Sequence, residues 1–73
     1  MNTCPALIFP GREAIRFSRP HWDKFAGESG AFVAESACGH FEAMAEPMPA
    51  GWRLWLVPVA DPENSFCSEL CES

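Results

Sequence analysis

The sequence predicts an α+β fold, in which a small antiparallel sheet of about three strands packs against one longer and two short helices. Short apolar runs on either side of Pro10-Gly11 indicate two strands, because this dipeptide is typical of turns. Residues 52–57 indicate a third strand, and an alanine-rich stretch at 31–46 favours the longer helix. A chain of 73 residues has room for one small domain, which we place at 1–73.

The three predicted strands lie at residues 6–9, 13–17 and 52–57, and the first two form a predicted hairpin. Alternation in the third strand divides its side chains between two faces. One face carries Trp52, Leu54 and Leu56, and the other carries Arg53, Trp55 and Val57. Because both sets are mostly apolar, we expect this strand to be central in the sheet or to have one face covered by a partner.

Two short helices are predicted from their capping residues. Ser18 is a candidate N-cap for a helix that contains Pro20 in its first turn and ends at Gly27. Asp61 is a candidate N-cap for a last helix, with Pro62 at its first position. The apolar stripe of that helix would consist of Phe66, Cys67, Leu70 and Cys71.

Residues 31–46 allow two interpretations, of which we favour a helix. Apolar residues recur at helical spacing, five alanines favour helix formation, and Pro47 would end the helix. Gly39 argues against it, because glycine in a helix interior costs about 1 kcal/mol. The alternative is a hairpin of residues 31–36 and 40–45 that turns at Ala37-Cys38-Gly39.

Formal charge is unevenly distributed along the chain, whose net charge is −5. Residues 1–24 contain four basic and two acidic residues, whereas residues 25–73 contain one basic and eight acidic residues. This balance favours basic partners and argues against direct binding of nucleic acid. No apolar run approaches the roughly 20 residues of a membrane-spanning helix, and no leader segment is visible, so we expect a cytoplasmic protein without membrane contact.

Four acidic residues are candidate partner-binding groups: Glu28, Glu35, Glu42 and Glu46. On a helix over 31–46, the last three would form one stripe of carboxylates. Such a stripe can imitate the phosphates of a nucleic acid and occupy a basic groove on another protein. The alternative is the solvated side of an amphipathic helix.

Trp52 and Trp55 complete the set of candidate partner-binding residues. Tryptophan and arginine are the typical hot-spot residues of interfaces, and Arg53 lies between these two tryptophans. One tryptophan is expected to fill the core and the other to be a candidate anchor for a partner. The alternative is that both belong to the core, because small domains need their aromatic residues inside.

The chain has four cysteines and two histidines, which raises the question of a metal or catalytic site. Cys38, His40, Cys67 and Cys71 are an alternative zinc site, although the usual C-x2-C spacing is absent. Free thiols are our first interpretation, and no cofactor is expected. Cys38 and His40 lack any sign of an oriented base or an oxyanion site, so we expect no enzyme activity.

In its size, its acidity and its lack of an enzymatic motif, the chain resembles the small phage- or plasmid-encoded inhibitors, including anti-CRISPR proteins. The resemblance covers these gross properties, transfers no residue roles and implies a protein that binds and blocks a host protein. We therefore expect a non-enzymatic inhibitor, a monomer or weak dimer, that presents an acidic face to a basic, nucleic-acid-binding host protein. The alternatives are a small zinc-stabilised domain and an accessory protein that dimerises through strand 52–57.

Overall fold

The computed structural model describes residues 4–71 and shows an all-β fold with five antiparallel strands in one sheet. The strands are β1 (His21–Asp23), β2 (Ala31–Glu35), β3 (Phe41–Met48), β4 (Gly51–Pro58) and β5 (Phe66–Cys71). Each strand pairs with the next along the chain, so the sheet is a meander. The predicted α+β fold is wrong, because the only helical element in the described part is a 3-10 turn at Pro62–Asn64.

The segment 31–46, for which we favoured a helix, forms the β2–β3 hairpin. The Ser36 carbonyl oxygen accepts a hydrogen bond from the Gly39 N–H at 3.0 Å, and the Ser36 hydroxyl accepts one from the Phe41 N–H at 3.0 Å. Gly39 has a φ of +78°, which glycine adopts without a steric penalty. The alternative hairpin that turns at Ala37-Cys38-Gly39 is therefore confirmed.

Three of the five alanines that favoured a helix line the covered side of the sheet. Ala34, Ala43 and Ala45 are at most 3% exposed. Their small side chains allow another segment of the chain to approach the sheet closely. The helix preference of alanine over ordinary residues is at most about 0.7 kcal/mol per position, so packing outweighs it.

The predicted helix at 18–27 is wrong, because this part of the chain is an extended edge of the sheet followed by a turn. The Ser18 hydroxyl accepts a hydrogen bond from the Glu35 N–H at 3.1 Å, and the Ser18 N–H donates to the Glu35 carbonyl oxygen at 2.8 Å. The predicted N-cap is therefore bound to β2. After Pro20, β1 continues along the same edge, and Gly27 lies in the turn between β1 and β2.

The predicted C-terminal helix begins where expected but ends after one turn. The Asn64 N–H donates to the Asp61 carbonyl oxygen at 3.0 Å, and Pro62 is the first residue of this 3-10 turn. The chain then enters β5, in which Phe66 lies opposite Leu56 of β4. Because side chains alternate in a strand, the apolar stripe predicted for a helix is divided between the two faces of the sheet.

The prediction of a strand at 52–57 is confirmed, and so is its central place. β4 pairs with β3 on one side and with β5 on the other. Along β4, Trp52, Leu54 and Leu56 are buried, while the alternate residues keep partial exposure. The sheet therefore has one covered face and one more accessible face.

The N-terminal segment, residues 4–20, packs over the covered face. Phe9 is fully buried, and its ring lies edge to face with Phe17 and Phe66 at centroid separations of 6.0 and 6.3 Å. The predicted hairpin of 6–9 and 13–17 is wrong, since neither run is a strand of the sheet. A turn closes this segment instead, through a 2.9 Å hydrogen bond from the Arg12 N–H to the Phe9 carbonyl oxygen. The buried core consists of Phe9, Ala43, Ala45, Trp52, Leu54 and Leu56.

Gly51 begins β4 at a place where the backbone of β5 leaves no room for a side chain. A Cβ atom there would lie 1.9 Å from the Leu70 carbonyl oxygen. We expect Gly51→Ala to lower the free energy of unfolding by about 1–3 kcal/mol, because overpacking would push β4 and β5 apart. Urea denaturation measures this change.

Gly39→Ala is the matched control for this substitution. A Cβ atom on Gly39 has nothing within 4 Å, so its cost is that of the positive φ alone, about 1 kcal/mol. A Gly51→Ala variant that unfolds at the same urea concentration as the wild type would contradict the close approach of β4 and β5.

Candidate partner-binding face

We call the side of the sheet opposite the N-terminal segment the open face. Its central residues are Val33, Glu35, Glu42, Met44, Glu46, Arg53, Trp55, Val57 and Glu69. On β3 and β4 these side chains keep partial or full exposure, whereas the residues that alternate with them along the middle of each strand are buried. The open face is therefore the larger accessible surface that the sheet itself provides.

An apolar row crosses the middle of the open face. Val33 lies opposite Met44, and Met44 lies opposite Trp55. All three side chains are half-buried. The indole N–H of Trp55 is buried and has no hydrogen-bond partner among residues 4–71. Trp55 therefore exposes apolar ring surface to solvent, while its polar N–H points away from the solvent.

Carboxylates lie on both sides of the apolar row. On one side, Glu35 of β2 is directly opposite Glu42 of β3, and both are exposed. Within residues 4–71 neither of these two carboxylates has an ion-pair partner. Like charges opposite each other destabilise a strand pair, so this arrangement costs the hairpin stability instead of supplying it.

On the other side of the row, Arg53 lies between two carboxylates. Its Nη1 is 3.9 Å from Glu46 Oε1, and its Nη2 is 3.8 Å from Glu69 Oε1. These are long, partly exposed ion pairs, each of which contributes at most about 1 kcal/mol. One guanidinium shared by two carboxylates leaves this side acidic as well.

Three of the four basic residues of the N-terminal third lie in the segment that covers the sheet, and the fourth, Lys24, lies in the β1–β2 turn. Arg16 and Arg19 are exposed in the segment that covers the sheet, and the Arg12 guanidinium carbon is 5.4 Å from the Phe66 ring centroid. The open face is acidic, and the covering segment is basic.

The structure brings together four of the six residues predicted to bind a partner. Glu35, Glu42, Glu46 and Trp55 share the open face, although the helix on which we placed the glutamates does not exist. Strand geometry gives the same grouping, because Glu35 pairs with Glu42 and because residues 42 and 46 are an even number of positions apart.

The other two predicted residues lie elsewhere. Trp52 is 8% exposed on the covered face, with its ring centroid 6.0 Å from that of Phe32, so it is the tryptophan that fills the core. Glu28 lies in the β1–β2 turn, where it lines a cavity of about 450 Å³ together with Glu46 and Arg53. It is therefore at the border of the open face.

Sequence reasoning missed Val33, Met44 and Glu69 as members of this surface. The hairpin alternative for 31–46 places Met44 between Glu42 and Glu46 on one face, so that pattern was a usable signal. Glu69 was hidden by the predicted C-terminal helix. It joins the surface only because β5 pairs with β4, and there it lies opposite Arg53.

The structure does not bring the four residues of the alternative zinc site together. Cys38 and His40 lie in the β2–β3 turn, whereas Cys67 and Cys71 lie on β5, with β4 between these elements. No three metal-binding side chains in the described ranges come close enough to hold an ion. The four cysteines are free thiols.

Cys38 has a distinct environment within the β2–β3 turn. Its sulfur is 3.3 Å from the Ser36 hydroxyl oxygen, and this hydrogen bond is the main cause that lowers the pKa of the Cys38 thiol. A backbone hydrogen bond from His40 adds to the effect. Because the Ser36 oxygen accepts from the Phe41 N–H, the Ser36 proton is free to point at the sulfur. This contact stabilises the turn region and brings no base to the thiol.

Comparison with known proteins finds no relative of this chain. No protein-family model, curated protein or solved structure matches the chain. Over residues 4–71, no helix is long and apolar enough to cross a membrane.

Proposed function

We propose that this protein is a non-enzymatic inhibitor that binds a basic, nucleic-acid-binding host protein in the cytoplasm. The observation that carries the proposal is the opposed pair of Glu35 and Glu42, neither of which forms an ion pair within residues 4–71. A cationic partner surface would relieve the repulsion between these carboxylates when it binds. A surface that normally binds phosphates has the required charge.

The apolar row supports the same proposal. Trp55 is half-buried between the two acidic sides, and tryptophan is among the residues that dominate interface energetics. Complementary charge around such a residue steers the encounter and selects the partner, while the apolar contact slows dissociation. The arrangement needs no catalytic group and no cofactor.

The experiment that tests the proposal begins with tagged protein and a lysate of the cell that encodes it. A retained host protein is purified and mixed with labelled DNA or RNA at low salt. We expect one equivalent of this protein to displace the nucleic acid. We also expect the protein–partner complex to dissociate as the salt concentration rises, because its contacts are exposed charges.

Two outcomes would contradict the proposal. The first is a partner that binds this protein and its nucleic acid at the same time. The second is a complex that persists unchanged at high salt. The second outcome would favour an apolar interface, which is the alternative that we derived from strand 52–57.

A further inference from the structure

β5 is a free edge of the sheet. It pairs with β4 on one side, and no segment of residues 4–71 pairs with its other side. Its six residues include neither proline nor lysine, which proteins commonly place on an edge to prevent pairing. The charge of Glu69 is partly neutralised by Arg53, and Leu70 is 40% exposed. The unpaired backbone groups of β5 therefore form a template for another strand.

The side chains of β5 are arranged symmetrically about Ser68. Phe66 and Leu70 lie two positions away on the covered side of the sheet, and Cys67 and Glu69 flank Ser68 on the open side. If two copies of β5 pair antiparallel with Ser68 at the centre, each Phe66 lies opposite a Leu70. Each Cys67 then lies opposite a Glu69. A centre at Glu69 instead would place two carboxylates opposite each other.

We infer that β5 is the interface of a homodimer, in which two copies of the chain pair about a two-fold axis at Ser68. The axis is perpendicular to the sheet, so the ten strands form one continuous sheet. Both open faces then lie on the same side of the dimer. A pairing of about five residues buries less area than a standard interface, so the association is weak. The fraction of chains in the dimer therefore rises with protein concentration.

Sedimentation equilibrium in reducing buffer measures the mass directly. At high concentration we expect twice the 8.1 kDa of one chain, with little change between low and high salt, because the contacts are apolar and backbone contacts. Leu70→Lys should remain at the mass of one chain, since its ammonium would face an apolar Phe66. Ile8→Lys is the matched control, because Ile8 is 60% exposed and lies in the N-terminal segment.

Ser68→Cys tests the register. Opposite residues of an antiparallel pair have Cα atoms about 4.5–5.5 Å apart, which is within the range of a disulfide. In a background in which Cys38, Cys67 and Cys71 are replaced by serine, we expect oxidised glutathione to link two Ser68→Cys chains. Glu63→Cys in the same background is the control, because Glu63 is exposed in the 3-10 turn.

Several results would overturn the inference. A mass of one chain at every concentration would do so, as would a dimer that survives Leu70→Lys. If Trp55→Lys dissociates the dimer and Leu70→Lys does not, the interface lies on the open face. If Leu70→Lys fails to fold, the Ser68→Cys cross-link decides alone, and its absence counts against the inference. No readout involves a host partner, so the proposed function is tested separately.

Discussion

Phe9→Ala is expected to lower the free energy of unfolding by about 3–5 kcal/mol, the usual cost of removing a buried phenylalanine. Phe9 is 0% exposed, and its ring contacts Phe17 of its own segment and Phe66 of β5. It therefore joins the N-terminal segment to the sheet. Small domains have a total stability on the order of 5 kcal/mol, so the variant would be largely unfolded under mild denaturing conditions.

Urea denaturation, followed by tryptophan fluorescence, measures this loss. Phe25→Ala is the matched control, because Phe25 is 83% exposed and its ring centroid lies 5.1 Å from the Lys24 ammonium at the surface. We expect the control to change the free energy of unfolding by no more than about 0.5 kcal/mol. Equal effects of the two substitutions would mean that residues 4–20 are not the second layer of the core.

β4 is the element that the sequence predicts best, for a reason specific to its composition. Residues 52–57 alternate in the strand period, and large apolar side chains occur on both faces. Such a pattern favours a central place in the sheet, and β4 does pair with β3 on one edge and with β5 on the other. The prediction needed no information from distant parts of the chain.

The segment 31–46 could not be assigned with the same ease, because its apolar residues fit both periods. At helical spacing they form one stripe, and at strand spacing Ala43 and Ala45 share a face. The covering segment decides between the two, and it makes its contact through Phe9, which is far away in sequence. The local signal that favoured the correct structure was Gly39, together with Ser36, whose hydroxyl binds the Phe41 N–H across the turn.

The capping residues illustrate a second limit of local reasoning. Ser18 has the composition of an N-cap, but its hydroxyl accepts the Glu35 N–H, 17 positions away. No pattern near Ser18 reveals that partner. Asp61 and Pro62 do begin a helical turn, and the pairing of β5 with β4 then ends it. Side chains that bind backbone groups are equally useful in caps and in sheets.

The acidic site was predicted on the wrong element but with nearly the right members. Glu35, Glu42 and Glu46 are separated by seven and four positions, which places them together on a helix. In the hairpin the first two are paired, and the second and third share a face of β3. Both geometries place the same carboxylates together, so these residues were grouped correctly although the predicted fold was wrong. Glu69 could not be included without knowing the pairing of β5.

The combined substitution of Glu35→Lys and Glu42→Lys is expected to weaken binding to the basic partner by at least about 100-fold at low salt, or roughly 2.7 kcal/mol. Each carboxylate that attracted a cation becomes a cation that repels it. The stability of the protein should stay within about 0.5 kcal/mol of the wild type, because one opposed pair of like charges replaces another. Isothermal titration with the purified partner and urea denaturation measure the two quantities.

The matched control is the combined substitution of Glu13→Lys and Glu63→Lys. It changes the net charge by the same amount, and both residues are exposed outside the open face. With both double variants measured at 0.1 M salt, we expect the control to lose no more than about 10-fold in affinity, because charges are screened beyond about 10 Å at that concentration. The difference in affinity between the two double variants therefore separates the effect of where the charges lie from the effect of the net charge.

The last part of the test is how the difference in affinity between the two double variants depends on the salt concentration. If Glu35 and Glu42 contact the partner, the gap between the two double variants narrows as salt rises, since both sites are exposed. Equal losses in both variants would show that net charge alone attracts the partner. An unchanged affinity in the Glu35→Lys and Glu42→Lys variant would show that this opposed pair lies outside the interface. In either case the carboxylates of the open face would be a solvated surface, and the repulsion that they impose on the hairpin would have no role in binding.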